Sequence, residues 1–313
     1  MRSAKYSGAG PAAEVVSLID VEVPVPGQDE VLVAVSAVGL NPVDVKIRAA
    51  ARDFGPIQYS DRPGWDVAGR IAAVGPGAEA WSIGDRVFAL ASFPAAAHTL
   101  ADYAVVPAGD LAAAPAAWSA AEAGAVPLAA LTAWQALEAI GVVAGQRILI
   151  LGGAGGVGHL AVQLATARGA HVIATASPAK HDLVRRWGAV EVIDYHDGDA
   201  LAAIGPVDAV LITVDDTLPP RNTVAPGTAI VTITGLPPAQ QAELEEWGAD
   251  PIRPILVHAD GAQLAEIAAL ADTGAVTPHL DGRFPLTALA VAQERVESGR
   301  VTGKVVVVVD PED

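Results

Sequence analysis

Glycines are concentrated in the segment RILILGGAGGVG at residues 147–158, where Gly153, Gly155 and Gly158 have the spacing G-x-G-x-x-G. An apolar run comes directly before them, and helical spacing of apolar residues begins after them. A strand, a tight turn and a helix N-terminus in this order form a phosphate site, because the unpaired N–H groups and the helix dipole favour an anion. Glycine also lets the backbone approach a pyrophosphate without a Cβ in the way. The segment therefore predicts a dinucleotide-binding turn.

The residues after the next predicted strand bear on which dinucleotide binds. An NAD-selective site has Asp or Glu at the end of that strand, where it bonds the ribose 2′-hydroxyl. Here the strand His171–Thr175 is followed by Ser177 and Lys180, with Arg185 and Arg186 further on and no carboxylate at the strand end. A 2′-phosphate needs cations and donors and would be repelled by a carboxylate, so the sequence favours NADPH over NADH. In the alternative interpretation, Ser177 caps the next helix and Lys180 is an ordinary surface lysine.

The elements that position these residues alternate between strand and helix from Gln146 onward, which indicates an α/β, doubly wound parallel sheet. Six strands with crossover helices fit the Rossmann arrangement. Before them, an N-cap and capping-box pattern at Ser119 and Glu122 opens helical sequence to Ile140. The predicted strands are Ile148–Leu151, His171–Thr175, Val190–Asp194, Ala209–Val214, Ala229–Thr234 and Ile255–His258, and the predicted helices are 156–168, 179–187 and 260–273.

The N-terminal part of the chain has a different residue pattern. Residues 63–90 hold closely spaced glycines between β-branched pairs, which is typical of a small β-rich domain with tight turns. Short strands are predicted at 15–18 and 31–35. Pro42 keeps Asn41 out of helical geometry, so a strand ends or a helix begins there, and Asn41 or Asp44 could simply cap that helix.

The C-terminal part does not continue the alternation. A helix is predicted from Pro285 to about Glu297, and a final strand at Val305–Val309 has no crossover helix after it. That strand could return to the N-terminal β-rich domain. We therefore predict a discontinuous catalytic domain at 1–117 and 275–313, with a Rossmann NADP-binding domain inserted at 118–274.

Composition limits the function classes. The chain has 313 residues, enough for two domains, and 52% of them are hydrophobic. The formal charge of −17 disfavours nucleic acid and anionic membranes as partners. No apolar run is long enough to span a bilayer, and the first ten residues lack the apolar core of a signal peptide. We therefore expect a soluble cytoplasmic protein.

Several ordered motifs resemble the medium-chain dehydrogenase/reductases, and most closely their zinc-free branch of quinone oxidoreductases, zeta-crystallin-like proteins and NADPH-dependent alkenal/one oxidoreductases. The resemblance implies a GroES-like β-rich catalytic domain, a Rossmann domain, a cleft between them and a homodimer formed through the edge of the Rossmann sheet. The motifs are LNPVDVK (40–46), PGWDVAG (63–69), GDRV (84–87), LTAW (131–134), GGAGGVGHLAVQLA (152–165), ASPAK (176–180), IDY (193–195) and GKVVVVV (303–309).

The resemblance also implies a role for each matching residue. Two of these roles have a simpler alternative, since Tyr195 could be a strand-end aromatic and Thr132 a helix-face residue with a local hydrogen bond. The implied roles are Asn41 in the nicotinamide and substrate cleft, Thr132 near the nicotinamide, Gly155, Gly156 and Val157 at the pyrophosphate, Ser177, Lys180 and Tyr195 around the 2′-phosphate and adenine, and Thr234 and Gly235 at the carboxamide.

No metal is predicted. The chain has no cysteine, so a Cys-type structural zinc site is impossible. Where zinc-dependent relatives have the sequence GHE this chain has Gly64-Trp65-Asp66, and where they have the first zinc ligand it has Asn41. The seven histidines are scattered without a ligand-like pairing.

Without a Lewis acid, alcohol oxidation is harder to arrange than reduction of a conjugated C=C bond. Hydride adds to the β-carbon, the negative charge moves to the carbonyl oxygen, and hydrogen-bond donors can stabilise it there. The α-carbon then takes a proton from water or a phenol. Asn41 is a candidate for orienting the substrate or nicotinamide, and Tyr59 is a candidate proton donor, although it could simply pack on Trp65.

The sequence thus predicts an NADPH-dependent reductase of small-molecule enones or quinones. Two alternatives stay open: a metal-free ketone, alcohol or biosynthetic tailoring reductase of the same superfamily, and an NADPH-binding protein without turnover.

Overall fold

The computed structural model describes residues 1–310, which form two compact units. The first unit contains Met1–Leu131 and the chain from His258 onward, and the second contains Thr132–Val257. The sequence-based boundaries after residues 117 and 274 differ from these changeover points and stay a prediction about domains.

The N-terminal part of the first unit is dominated by β-strands. The strands are β1 (Arg2–Tyr6), β2 (Val16–Asp20), β3 (Glu30–Leu40), β4 (Asp66–Val74), β5 (Arg86–Leu90), β6 (Tyr103–Pro107) and β7 (Leu111–Ala113), and the helices are α1 (Ala12–Val15), α2 (Pro42–Ala50) and α3 (Ala120–Ala125). The next helix, α4 (Pro127–Ile140), begins in the first unit and continues into the second. Asn41 precedes α2 with extended backbone angles, as Pro42 predicts. The predicted helix over 119–140 is in fact two helices, α3 and α4, and the second begins at Pro127.

The second unit is a parallel sheet with the strand order β10-β9-β8-β11-β12-β13. Successive strands are added on one side of β8 as far as β10 and on its other side from β11 to β13, and this strand order is the Rossmann arrangement. The predicted α/β, doubly wound class is confirmed. Its strands are β8 (Arg147–Leu151), β9 (His171–Thr175), β10 (Glu191–Ile193), β11 (Ala209–Ile212), β12 (Ala229–Thr232) and β13 (Ile252–Pro254), and its helices after α4 are α5 (Gly158–Ala167), α6 (His181–Arg186), α7 (Gly198–Ala203) and α8 (Pro238–Glu246).

The predicted strand at Ile255–His258 is wrong. The sixth strand instead lies at Ile252–Pro254, where Ile252 pairs with Ile230 of β12. Pro254 has no N–H to donate, and the strand ends at this residue.

The chain then returns to the first unit through α9 (Gly261–Asp272), β14 (Leu280–Pro285), α10 (Leu289–Glu297) and β15 (Lys304–Val308). β15 pairs antiparallel with β3, so the expected return of the last strand to the β-rich part is confirmed. The seven-stranded sheet has the order β14-β15-β3-β4-β5-β7, and β6 also pairs with β3. The β3–β4 and β3–β15 pairings bring the ends of three strands together, and this junction positions the polar cluster described below.

Candidate functional site

The glycine turn between β8 and α5 is closely packed. A Cβ on Gly158 would lie 2.1 Å from the Gly152 carbonyl oxygen, and a Cβ on Gly153 would lie 2.7 Å from the Ala174 methyl group. The end of β9 fixes the turn from the side, because the Gly152 N–H donates to the Thr175 hydroxyl over 3.0 Å and the Gly153 N–H donates to the Thr175 carbonyl over 2.9 Å. The turn therefore needs glycine, and Thr175 is a supporting residue that the sequence analysis missed.

The turn also presents backbone donors. The amide groups of Gly156 and Val157 belong to half-buried residues and have no acceptor among the residues that the structure describes. They come directly before α5, whose dipole adds partial positive charge at this end. A pyrophosphate would satisfy these donors, so the residues present fit a dinucleotide.

Ser177 and Lys180 lie just beyond the end of β9, in a short turn that leads into α6. Ser177 stands at the N-cap position of the short helical turn Pro178–Lys180, but its side chain makes no capping hydrogen bond. Arg185 is exposed and paired with Asp182 over 3.0 Å, which draws it into a local ion pair. Tyr195 is 52% exposed.

Three further predicted residues also lie in the second unit. Thr132 is buried within α4. Thr234 and Gly235 are exposed and follow β12, with Gly235 at a φ of 79°. Because the carboxyl ends of parallel strands share one edge of a sheet, the glycine turn, Ser177 and Thr234 lie at the same edge.

The first unit contains a buried polar cluster formed by Asn41, Asp66 and Lys304, which we call the Lys304 cluster. Asn41 follows β3, whereas Asp66 opens β4 and Lys304 opens β15. Asn41 Nδ2 donates to Asp66 Oδ2 over 2.9 Å. The Lys304 ammonium donates to Asn41 Oδ1 and, over 2.8 Å, to the Leu40 carbonyl, and it lies 3.7 Å from Asp66 Oδ2. The amide of Asn41 is therefore held in one orientation from both ends.

Burial dominates the titration of this cluster. It raises the pKa of Asp66 to about 6, against the attraction of Lys304 and the hydrogen bonds from Asn41 and Leu128. It also lowers the pKa of Lys304, against the nearby carboxylates. Asp44, in the first turn of α2, accepts the Asn41 backbone N–H over 2.8 Å, and burial raises its pKa to about 7.

Two aromatic residues of the predicted site lie in the loop between α2 and β4. The Tyr59 side chain is half-buried, and desolvation together with Asp61 raises the pKa of its phenol. The Trp65 ring stands edge-on to Phe93 with 5.5 Å between ring centroids, and its Nε1 donates to the Ala95 carbonyl over 2.7 Å. Trp65 is thus a packed core residue whose indole N–H is engaged.

Within residues 1–310, no group of three or more His, Asp or Glu side chains could hold a metal ion. No helix in the same range is both long and apolar enough to cross a membrane. The metal-free state, the cytoplasmic location and the homodimer stay predictions.

Known proteins resemble this chain along nearly its whole length. The model for the alcohol dehydrogenase GroES-like domain matches residues 27–116, and the model for a zinc-binding dehydrogenase matches residues 187–307. The chloroplastic quinone-oxidoreductase homolog of Spinacia oleracea is 32% identical over 98% of both chains. The chloroplastic NADPH-dependent alkenal/one oxidoreductase of Arabidopsis thaliana is 33% identical, over 92% of this chain and 74% of its own. The solved quinone oxidoreductase from Coxiella burnetii superposes with a TM-score of 0.85 at 30% identity, over 99% of both chains.

Proposed function

The chain belongs to the medium-chain dehydrogenase/reductase superfamily of oxidoreductases, and we propose that it uses NADPH to reduce the C=C bond of an α,β-unsaturated carbonyl compound or to reduce a quinone, without a metal. The observation that carries the proposal is the buried ammonium of Lys304. Its N–H groups donate to the oxygen atoms of Asn41 and Leu40, and it faces the Asp66 carboxylate. A catalytic metal ion at this place would need the same oxygen atoms as ligands. The neighbouring Trp65 cannot ligate a metal, because its indole N–H is a donor only.

Cofactor choice is supported by the end of β9. A hydroxyl and an ammonium, from Ser177 and Lys180, stand where an NAD-selective site has a carboxylate, and the Ser177 side chain is not used as a helix cap. The name of the Arabidopsis relative also includes NADPH. We therefore assign the 2′-phosphate and adenine to Ser177, Lys180 and Tyr195.

We assign the pyrophosphate and the nicotinamide of the cofactor to backbone groups and threonines. The half-buried amides before α5 suit the pyrophosphate, since each can donate to a phosphate oxygen. Thr132, Thr234 and Gly235 are assigned to the nicotinamide end. The residues assigned to the pyrophosphate are Gly155, Gly156 and Val157.

When bound, NADPH would supply the hydride for the β-carbon of the enone, and a proton at the α-carbon would complete the saturated ketone. Asn41, held by Lys304 and Asp66, is proposed to orient the substrate. Tyr59 is proposed to give the proton, which its raised phenol pKa keeps in place until the α-carbon becomes basic.

The test is consumption of NADPH with 2-cyclohexen-1-one, 1,4-benzoquinone and cyclohexanone, with NADH in parallel and the products identified by mass spectrometry. We expect reduction of the enone to cyclohexanone or of the quinone to its hydroquinone, with NADPH preferred and no loss of activity after treatment with a chelator. Conversion of cyclohexanone to cyclohexanol in preference to the other two would favour the ketone reductase. Binding of NADPH without turnover of any acceptor would favour the non-catalytic protein.

A further inference from the structure

A small cavity lies in the first unit, beside the start of α2. Its lining includes Tyr6, Asp44, Ser60 and Trp65, and it has room for about one water molecule. The predicted site does not use this cavity.

Asp44 brings an unsatisfied acceptor to the cavity. Its carboxylate is buried, and Oδ2 accepts the Asn41 backbone N–H over 2.8 Å. Oδ1 has no hydrogen-bond partner among residues 1–310, although buried carboxylate oxygens are nearly always bonded. A water molecule in the cavity would supply the missing donor.

Tyr6 brings a donor. The Gln293 side chain donates to the Tyr6 hydroxyl oxygen over 2.5 Å, so the proton of that hydroxyl is available for another acceptor. The cavity is therefore bounded by one group that needs a donor and one that can donate. A single water molecule can satisfy both.

A third lining residue connects the cavity to a partly exposed side chain. Ser60 lines the cavity, and its hydroxyl lies 3.0 Å from Nε2 of His98, which is partly exposed. The Ser60 oxygen also accepts the Arg62 backbone N–H over 3.1 Å, which holds it in place. A hydroxyl can accept one proton while it donates another, so Ser60 can pass a proton between His98 and the cavity.

We propose that this cavity binds one water molecule that connects Asp44, through the Ser60 hydroxyl, to His98, and that a proton moves along this route between solvent and the Asp44 carboxyl. Each step breaks one O–H or N–H bond and forms the next, with no change in oxidation state. When Asp44 is protonated, the net result is the uptake of one proton from solvent at His98.

The environments of the two ends favour the proton at Asp44. Burial raises the pKa of Asp44 to about 7, and burial together with Arg62 lowers the pKa of His98 from its ordinary value, so a proton taken up at His98 is held more tightly at Asp44. The titratable and charged groups that face Asp44 are Tyr6, Asp66 and Lys304, Arg48 faces Tyr6, and those that face His98 are Arg62 and Asp61.

A role for this route in turnover depends on the proposed function. The proton donor proposed for turnover is Tyr59, which is not part of this route. The route instead sets the charge of Asp44, which accepts the backbone N–H of Asn41, the residue proposed to orient the substrate. The test below measures proton exchange directly and does not require turnover.

The experiment is a stopped-flow pH jump across neutrality, read by tryptophan fluorescence, because Trp65 lines the same cavity. The wild-type chain should show a relaxation that is absent in both Asp44→Asn and Trp65→Phe. Ser60→Ala should slow this relaxation at least about tenfold, whereas Ser60→Thr, which keeps the hydroxyl, should restore it to within about twofold. Ser82→Ala, which changes an exposed serine of the same unit, is the matched control.

An equal relaxation rate in Ser60→Ala and wild type, in variants whose circular dichroism and thermal melting are unchanged, would overturn the route. A relaxation that persists in Asp44→Asn, or none in wild type, would overturn it too. A crystal structure at high resolution should show a water bonded to Asp44 Oδ1, and a cavity filled by side chains would contradict the water site. Failure of every acceptor in the NADPH assay would remove the proposed function and leave this result intact.

Discussion

The glycine turn of the second unit and the Lys304 cluster of the first unit satisfy polar groups in opposite ways. The turn leaves the backbone N–H groups of Gly156 and Val157 without an acceptor in the described chain, and it uses glycine to keep side chains away. In the cluster, buried side chains satisfy one another: Lys304 donates to Asn41 and faces the opposite charge of Asp66, and Asn41 donates to Asp66. Unsatisfied donors indicate a ligand-binding site. Mutually satisfied charges indicate a scaffold that holds one side chain in a fixed orientation.

The largest effect is expected from removing the central charge of the cluster. Lys304→Met leaves Asp66 buried without a cation and should lower the free energy of unfolding by about 3–5 kcal/mol in urea denaturation. Arg185→Met, which breaks the exposed pair with Asp182, should change it by less than about 1 kcal/mol. Equal losses in the two variants would show that the cluster is not a closed charge network.

The pH dependence of stability tests Asp44, which accepts the backbone N–H of the cluster residue Asn41. Its pKa is raised in the folded state from 3.8 to about 7, so the folded chain holds this proton more tightly than the unfolded chain does. The stability that this proton gives is fully present below about pH 4 and is lost as the pH rises to about 7. Relative to Asp44→Asn, wild type should therefore lose about 2–4 kcal/mol across this window. Parallel stability curves for the two proteins would contradict the raised pKa.

The glycine turn is tested by a single methyl group. Gly158→Ala places a Cβ 2.1 Å from the Gly152 carbonyl oxygen, so the turn must open, and the Kd for NADPH should rise at least about a hundredfold, or about 2.7 kcal/mol. The control is Gly198→Ala in the same unit, where a Cβ meets no atom within 4 Å and binding should change less than about twofold. Calorimetric titration measures both, and tight binding by Gly158→Ala would show that the cofactor does not use this turn.

The smallest expected effect concerns the choice between the two dinucleotides. Ser177→Asp places a carboxylate near the position assigned to the 2′-phosphate and should lower the preference for NADPH over NADH about tenfold, or about 1.4 kcal/mol. Ser82→Asp adds the same charge to an exposed serine of the first unit and should leave the preference unchanged. If Ser177→Asp left the preference for NADPH over NADH unchanged, the 2′-phosphate would not bind at the end of β9.

The same contrast explains how much the sequence could predict. The glycine turn is contiguous in the chain, and the strand before it and the helix after it have clear hydrophobic spacing, so the Rossmann fold and the position of the turn followed from local pattern. The resemblance to the superfamily, which draws on motifs along the whole chain, is also confirmed.

The Lys304 cluster was out of reach because its members are far apart in the chain and meet only through the pairing of β3 with β4 and β15. A weak signal was present, since Asp66 and Lys304 are charged residues that each open a largely apolar strand. The misplaced strand at Ile255–His258 shows the limit of hydrophobic runs as a guide, because the ladder ends at Pro254.

The central claim is that hydride is transferred to a C=C bond without a metal. Its most direct test uses NADPH with deuterium at the transferable C4 position and 2-cyclohexen-1-one as the acceptor, and locates the deuterium in the product. The account predicts one deuterium at the β-carbon of cyclohexanone, in enzyme shown by elemental analysis to be free of zinc. Deuterium at the carbonyl carbon of an allylic alcohol, or activity that needs stoichiometric zinc, would contradict it.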